Sequence, residues 1–146
     1  MLSDGGFTLL EMMVALAVLG ILTAIAIPGW HSLRPGYELD SSTRQIQSEM
    51  HHIKMRAAAE NIGFQLVYNG GASQYEIQRN AEALATKQLP EGTIITKAGT
   101  ISFSPRGTAN ANRVRLRNSA GVCKQIVVSA TGRVRVCKPG DCSGDC

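Results

Sequence analysis

The sequence predicts an α+β protein in which a long N-terminal helix, apolar in its first half, packs on a C-terminal antiparallel β-sheet domain. Three observations predict it. Residues Phe7 to Ile27 form an apolar run whose sole charge is Glu11. Beyond it, apolar positions recur at spacings of four and three as far as Ala57, and from Phe64 onward the period changes to two. With 146 residues, 44% of them hydrophobic and 18% charged, the chain is far from the composition of disordered proteins and long enough for one domain with a buried core.

The apolar run contains 21 residues, about 31 Å of helix at roughly 1.5 Å per residue, which matches the hydrocarbon thickness of a bilayer. A cleaved secretory signal competes, because Ala24-Ile25-Ala26 has the small-x-small pattern of a cleavage site. The run is too long for that reading, no Lys or Arg precedes it, and a carboxylate interrupts it. Glu11 needs an explanation, since a carboxylate at the centre of a membrane helix costs about 2.5 to 3.5 kcal/mol. Either Glu11 reaches the interface from its place near the start of the segment, or it meets a counter-charge.

The residues Gly5-Gly6-Phe7-Thr8-Leu9-Leu10-Glu11, followed by an apolar run that ends at Pro28, resemble the processing site of type IV prepilins and type II secretion pseudopilins. The resemblance implies a leader, residues 1–6, cut by a prepilin peptidase between Gly6 and Phe7, with N-methylation of the new terminal Phe7. Glu11 then becomes the fifth mature residue, and the Phe7 amine of one subunit is a natural counter-charge for Glu11 of its neighbour during assembly. The leader contains Asp4 and no Lys or Arg, whereas leaders of this family are usually basic. The resemblance further implies a pilin-like fold and a single-pass inner-membrane precursor with its C-terminal domain in the periplasm. The precursor joins a pilus or pseudopilus built of other pilins or pseudopilins.

Pro28-Gly29 and Pro35-Gly36 disfavour uninterrupted helix, so a kink or melted turn is expected between an assembly helix, residues 7–29, and an amphipathic helix, residues 30–62. In the second helix Leu39, Thr43, Ile46, Met50, Ile53 and Ala57 share a face, and Asn61-Ile62-Gly63 supplies a stop. His51 and His52 point about 100° apart on a helix and His31 is remote, so no metal site is expected.

Residues 63–146 read as the β-rich domain. Strands are expected at Phe64 to Asn69, Gln74 to Arg79, Thr93 to Lys97, Thr100 to Phe103, Arg113 to Arg117, Val122 to Ser129 and Arg133 to Cys137, with turns rich in Gly and Pro between them. Ala81 to Gln88 reads as a short helix or a loop. The last segments are the most informative. Arg113, Arg115 and Arg117 alternate with Val114 and Leu116, and Arg133 and Arg135 alternate with Val134 and Val136, so each strand displays its arginines on one face. Residues 101–146 carry eight cations against two carboxylates, +6, while the first hundred carry seven against nine, −2. A solvated sheet face ordinarily mixes signs; this one has no acidic residue between positions 92 and 140. Arginine forks match phosphate geometry, and the segment has no Trp or Tyr for base stacking. The pattern points to sequence-tolerant contact with a nucleic-acid backbone by Arg113, Arg115, Arg117, Arg133 and Arg135, with Lys124 and Lys138 added on charge and strand alternation.

Phe103-Ser104-Pro105-Arg106-Gly107 followed by Gly132-Arg133-Val134-Arg135 is similar to the C-terminal pattern of the FimT/GspH class of minor pilins and pseudopilins. Members that act in natural transformation carry a Gly-Arg-x-Arg element whose arginines contact DNA, which implies that role for Arg133 and Arg135. Members of the GspH type instead sit at the tip of the type II secretion pseudopilus and bind other subunits. No catalytic constellation has credible spacing, so neither an enzyme nor a cofactor is expected.

Cys123, Cys137, Cys142 and Cys146 permit three pairings. A hairpin about Ala130-Thr131-Gly132 brings Cys123 nearly opposite Cys137, which leaves Cys142 with Cys146 in the tail. A four-thiolate zinc site is the alternative, but the spacing departs from the usual knuckles and an extracytoplasmic location favours disulfides.

Overall fold

The computed structural model describes residues 8–140, 142 and 144, the side chains of 28–32 excepted. By internal contacts the chain divides into two units, Met1–Arg34 and Pro35–Cys146. A single α-helix, α1 (Leu9–Glu60), is followed by strands β1 (Phe64–Tyr68), β2 (Gln74–Arg79), β3 (Glu82–Gln88), β4 (Thr93–Ile95), β5 (Gly99–Phe103), β6 (Asn112–Asn118), β7 (Cys123–Val128) and β8 (Val134–Cys137). The order of one helix and then antiparallel strands is the α+β arrangement that the periodicity predicts.

In the first unit, Thr8 caps α1. The amide of Glu11 donates to Thr8 Oγ1 at 3.2 Å and to the Thr8 carbonyl at 3.1 Å, so Thr8 and Glu11 stand three residues apart as in a capping box. Glu11 in the first turn also lies at the positive end of the helix dipole. Leu9–Ile27 is long and apolar enough to cross a membrane, and none of it is buried within the chain. The melted turn expected at the two Pro-Gly pairs is not seen, because helix α1 continues through both. Each proline lacks one N–H donor for the helical ladder.

In the second unit two antiparallel sheets enclose the core, one in the order β3-β2-β1-β5 and the other β4-β6-β7-β8. Leu39, Ile46, Met50, Ile53 and Ala57 of α1, the stripe read from the sequence, join one buried cluster with alternate residues of both sheets. On β1 these are Phe64, Leu66 and Tyr68, opposite Phe103, Ile101 and Gly99 of β5. On β6 and β7 they are Val114, Leu116, Ile126 and Val128. Asn118 at the end of β6 donates to the Pro35 carbonyl at 2.9 Å, which ties the start of this unit to the second sheet.

The segment expected to be helix or loop is β3, an edge strand paired with β2. Asn80 and Ala81, the two residues between β2 and β3, both take positive φ, 47° and 68°. Two consecutive residues of that kind make the type I′ geometry that joins hairpin strands, usually written Asn-Gly. Ala81 in place of Gly conceals the turn. Every residue of β3 is exposed, so no apolar alternation marks the strand either.

Gly99 is required where it stands. A Cβ there would lie 2.6 Å from the hydroxyl of Tyr68, whose O–H donates to the Arg113 carbonyl at 2.9 Å and so links the two sheets. Burial pushes the Tyr68 phenol up to about 12.

Three outcomes follow for thermal unfolding. Gly99→Ala is expected to destabilise by about 1 to 3 kcal/mol through overpacking, whereas Ala81→Gly is expected to stabilise by up to about 1 kcal/mol by relieving the left-handed backbone. The raised Tyr68 value means its contribution is fully present below pH 10 and lost as pH climbs from 10 to about 12; the midpoint should fall across that window as tyrosinate absorbance rises.

Candidate nucleic-acid interface

Strand register decides where the arginines go. β6 and β7 pair Arg113 with Val127, Arg115 with Gln125 and Arg117 with Cys123. β7 and β8 pair Val127 with Arg135 and Gln125 with Cys137. Arg133, two residues before Arg135, has the same parity and faces Ser129 across the turn, where the Ser129 amide donates to the Arg133 carbonyl at 3.0 Å. All five arginines therefore emerge from one face of the β6-β7-β8 sheet, and Val114, Leu116, Ile126 and Val128 occupy the other, which is the core face. Arg113 and Arg135 stand in one row on either side of Val127, about 10 Å apart at two strand spacings. Arg117, Arg133 and Arg135 are exposed, and Arg113 and Arg115 are half-buried. A concave site of about 240 Å³ beside β6 is lined by Lys97, Ala98, Asn112, Arg113 and Arg115.

Lys124 does not belong to this face. It is opposite Leu116 on the core side of β7, and its ammonium donates to Asp40 Oδ1 of α1 at 2.5 Å. That bond holds the Asp40 carboxyl below its usual value of 3.8, with weaker help from Arg44 and Lys138. Lys138 thus acts on the helix side, and its parity past β8 puts it there too. The two-residue period thus separates Lys124 and Lys138 from the arginines with which charge and alternation group them.

The cysteines also depart from expectation. Cys137 lies opposite Gln125, two residues out of register with Cys123, so the hairpin does not bring that pair together. Instead the chain turns back after β8 and Cys123 is bonded to Cys142, with Cα atoms 5.3 Å apart. This excludes the expected Cys123–Cys137 and Cys142–Cys146 pairs. Cys137 is disulfide-bonded too, and Cys146 lies outside the described residues. Gln125 Nε2 donates to the Gly144 carbonyl at 2.5 Å, so Gly144 lies beside β7 on the face that carries the arginines.

The turn that carries Arg133 is built from its neighbours. The Gly132 amide donates to the Ser129 carbonyl at 2.8 Å, and the Ala109 amide donates to the Ala130 carbonyl at 3.0 Å. Gly132, at φ 71°, has no room for a Cβ, which would overlap the Gly107 carbonyl. Lys54 of α1 reaches across to donate to the Gly132 carbonyl at 3.0 Å. The two C-terminal motifs read from the sequence are thus one packed unit, and nothing in the sequence marked Lys54 as part of it.

The remaining expected sites are dispersed. Glu11 lies in the first turn of α1, while Gly6 and Phe7 fall outside the described residues. His51 and His52 are exposed on α1, and among the described residues no group of three His, Cys, Asp or Glu could hold a metal.

The family model described as prokaryotic N-terminal methylation motif matches residues 1–27, and the one described as type II transport protein GspH matches residues 42–132. No curated protein sequence matches significantly. The fold is similar to the minor pseudopilin EpsH from the type 2 secretion system of Vibrio cholerae, with a TM-score of 0.60 and 10% identity over 71% of this chain and 99% of that one. It is also similar to the type IV minor pilin FimU of Pseudomonas aeruginosa, with a TM-score of 0.56 and 12% identity over 71% and 99%. A prepilin motif, a GspH match over most of the second unit and a shared pilin and pseudopilin fold agree: the chain belongs to the GspH family of minor pilins and pseudopilins.

Proposed function

We propose that this chain is a minor type IV pilin that binds the DNA backbone through the outer face of β6-β7-β8 and so serves DNA uptake in natural transformation. The observation that carries the reading is the gathering of Arg113, Arg115, Arg117, Arg133 and Arg135 on one face of one sheet. Such a surface binds by neutralising phosphates and releasing condensed counterions, which needs no base readout. In this reading the precursor is held in the inner membrane by residues 7–29 with the β-rich domain periplasmic, is cut after Gly6 by prepilin peptidase, and enters the filament with Phe7 methylated and Glu11 paired with a neighbour's terminal amine. The prepilin motif supports that processing and assembly with other pilins. The family is structural, and the role needs no enzymatic chemistry.

A second reading is favoured by the family description and by EpsH: a pseudopilin of a type II secretion system, in which the arginine face meets another subunit or cargo protein. The two readings differ in what binds the arginines.

Fluorescence anisotropy of a labelled DNA duplex separates them. Under the DNA reading the full-length protein in detergent binds duplexes of unrelated sequence with similar affinity, and binding weakens steeply with salt. Arg133→Ala/Arg135→Ala should reduce the slope of log K against log salt by about 2, close to 1 per lost phosphate contact. No binding at low salt would leave the pseudopilin reading in front. Mass spectrometry of the filament-associated protein should find methylated Phe7 at the N-terminus; a terminus following Ala26 would contradict the processing step.

A further inference from the structure

We infer that the anion-binding element extends beyond the Gly132-Arg133-Val134-Arg135 segment to a two-turn unit in which Arg106 is a further phosphate contact and Lys54 is a positioning residue. The inference rests on the DNA reading and adds to it one ligand-contacting residue and one that acts through another.

The turn between β5 and β6 is tightly closed on itself. The Ser104 amide donates to the Thr108 carbonyl at 2.9 Å, the Gly107 amide donates to the Ser104 carbonyl at 2.9 Å, and the hydroxyls of Ser104 and Thr108 are 2.7 Å apart. Its backbone reverses at Gly107, with φ 80°, a conformation that glycine adopts without penalty. Arg106, immediately before that reversal, is exposed.

This turn rests directly on the one that precedes Arg133. The Gly107 carbonyl occupies the space that a Cβ on Gly132 would need, and the amide of Ala109 reaches the carbonyl of Ala130. With backbones in contact, Arg106 and Arg133 project from adjacent reversals at one end of the domain. A phosphate backbone lying along the arginines of β6 and β8 therefore meets Arg106 where it leaves the sheet.

Lys54 fixes the pair from beneath. The acidic side chains on either side of it along α1 already have cationic partners: Glu49 with Lys87 at 2.6 Å, and Glu60 with Arg56 at 2.8 Å and Arg79 at 3.7 Å. Lys54 instead spends its ammonium on the carbonyl of Gly132, at 3.0 Å, and its Cε lies 3.5 Å from where a Cβ on Gly107 would be. One half-buried side chain on the helix thus bonds one reversal and lies beside the other. A charge-assisted hydrogen bond to the carbonyl just before Arg133 restricts the turn and lowers the ordering that the arginines must undergo on binding.

The test measures duplex binding by the full-length protein in detergent for Arg106→Ala, Lys54→Met, Lys54→Arg, Arg133→Ala/Arg135→Ala and the triple variant joining Lys54→Met to the last, with thermal midpoints recorded for each. Arg106→Ala should weaken binding alike on all sequences and lower the salt slope by about 1. Lys54→Met should weaken binding in the parent chain and change nothing once Arg133 and Arg135 are gone, because a residue that acts through them is coupled to them. Lys54→Arg, which keeps a donor, should retain the parent affinity. If Arg133→Ala/Arg135→Ala lowers binding and Arg106→Ala does not, the two-turn site is wrong while the DNA reading stands. If Lys54→Met weakens binding equally in both backgrounds, Lys54 contacts DNA itself and the positioning role is wrong. If Arg133→Ala/Arg135→Ala leaves binding unaltered, the DNA reading itself fails. Arg106 is exposed, so its variant carries little folding risk and keeps the inference open to refutation even if Lys54→Met lowers the midpoint.

Discussion

Burial of alternate apolar residues of β6 and β7 against the core is the constraint on which the rest depends. Val114, Leu116, Ile126 and Val128 can enter the cluster formed with Ile46, Met50 and Ile53 only in one register. A slip by one residue would carry arginines inward, at a cost no local partner offsets. Core packing and charge display are therefore one decision: the valines and leucine that stabilise the sheet oblige the arginines to share its other face. The clustering of like charge that opposes folding is tolerated because Arg117, Arg133 and Arg135 are exposed, where water screens them, and Arg113 and Arg115 are half-buried, not in the core.

Two residues after β8 also contact that face. Cys142 is bonded to Cys123, and Gly144 accepts a hydrogen bond from Gln125 of β7, between Arg115 of β6 and Cys137 of β8. A disulfide between the first residue of β7 and the tail closes a loop of 19 positions and contributes on the order of 3 kcal/mol by limiting the unfolded chain. It also gives the short edge strand β8 a covalent hold beyond its own four residues, so the arginine positions are fixed from two directions.

Much of this was legible in the sequence where one local rule governs. The apolar run with Glu11, the core stripe of α1 and the arginine alternation each follow from a single period, and the structure places them accordingly. What was not legible depends on partners distant in sequence or on turns with unusual residues. Asn80-Ala81 hides the hairpin that makes β3 an edge strand. The Cys123–Cys142 bond requires the path of the chain after β8, which no spacing rule supplies. The charge of Lys124 groups it with the arginines, yet its strand parity sends it to Asp40, 84 positions away. Lys54 meets Gly132 across 78 positions, and its own helix gives no sign of the contact.

The central claim is that duplex DNA lies on the arginine face. Hydrogen–deuterium exchange of the full-length protein with and without saturating duplex tests it most directly, because it reports which backbone amides the ligand covers. The account predicts slowed exchange in 105–107 and 129–137, with α1 and β3 unchanged. Slowed exchange confined to β3 or to the outer side of α1 around His51 and Met55, with the β7-β8 turn unaffected, would contradict it.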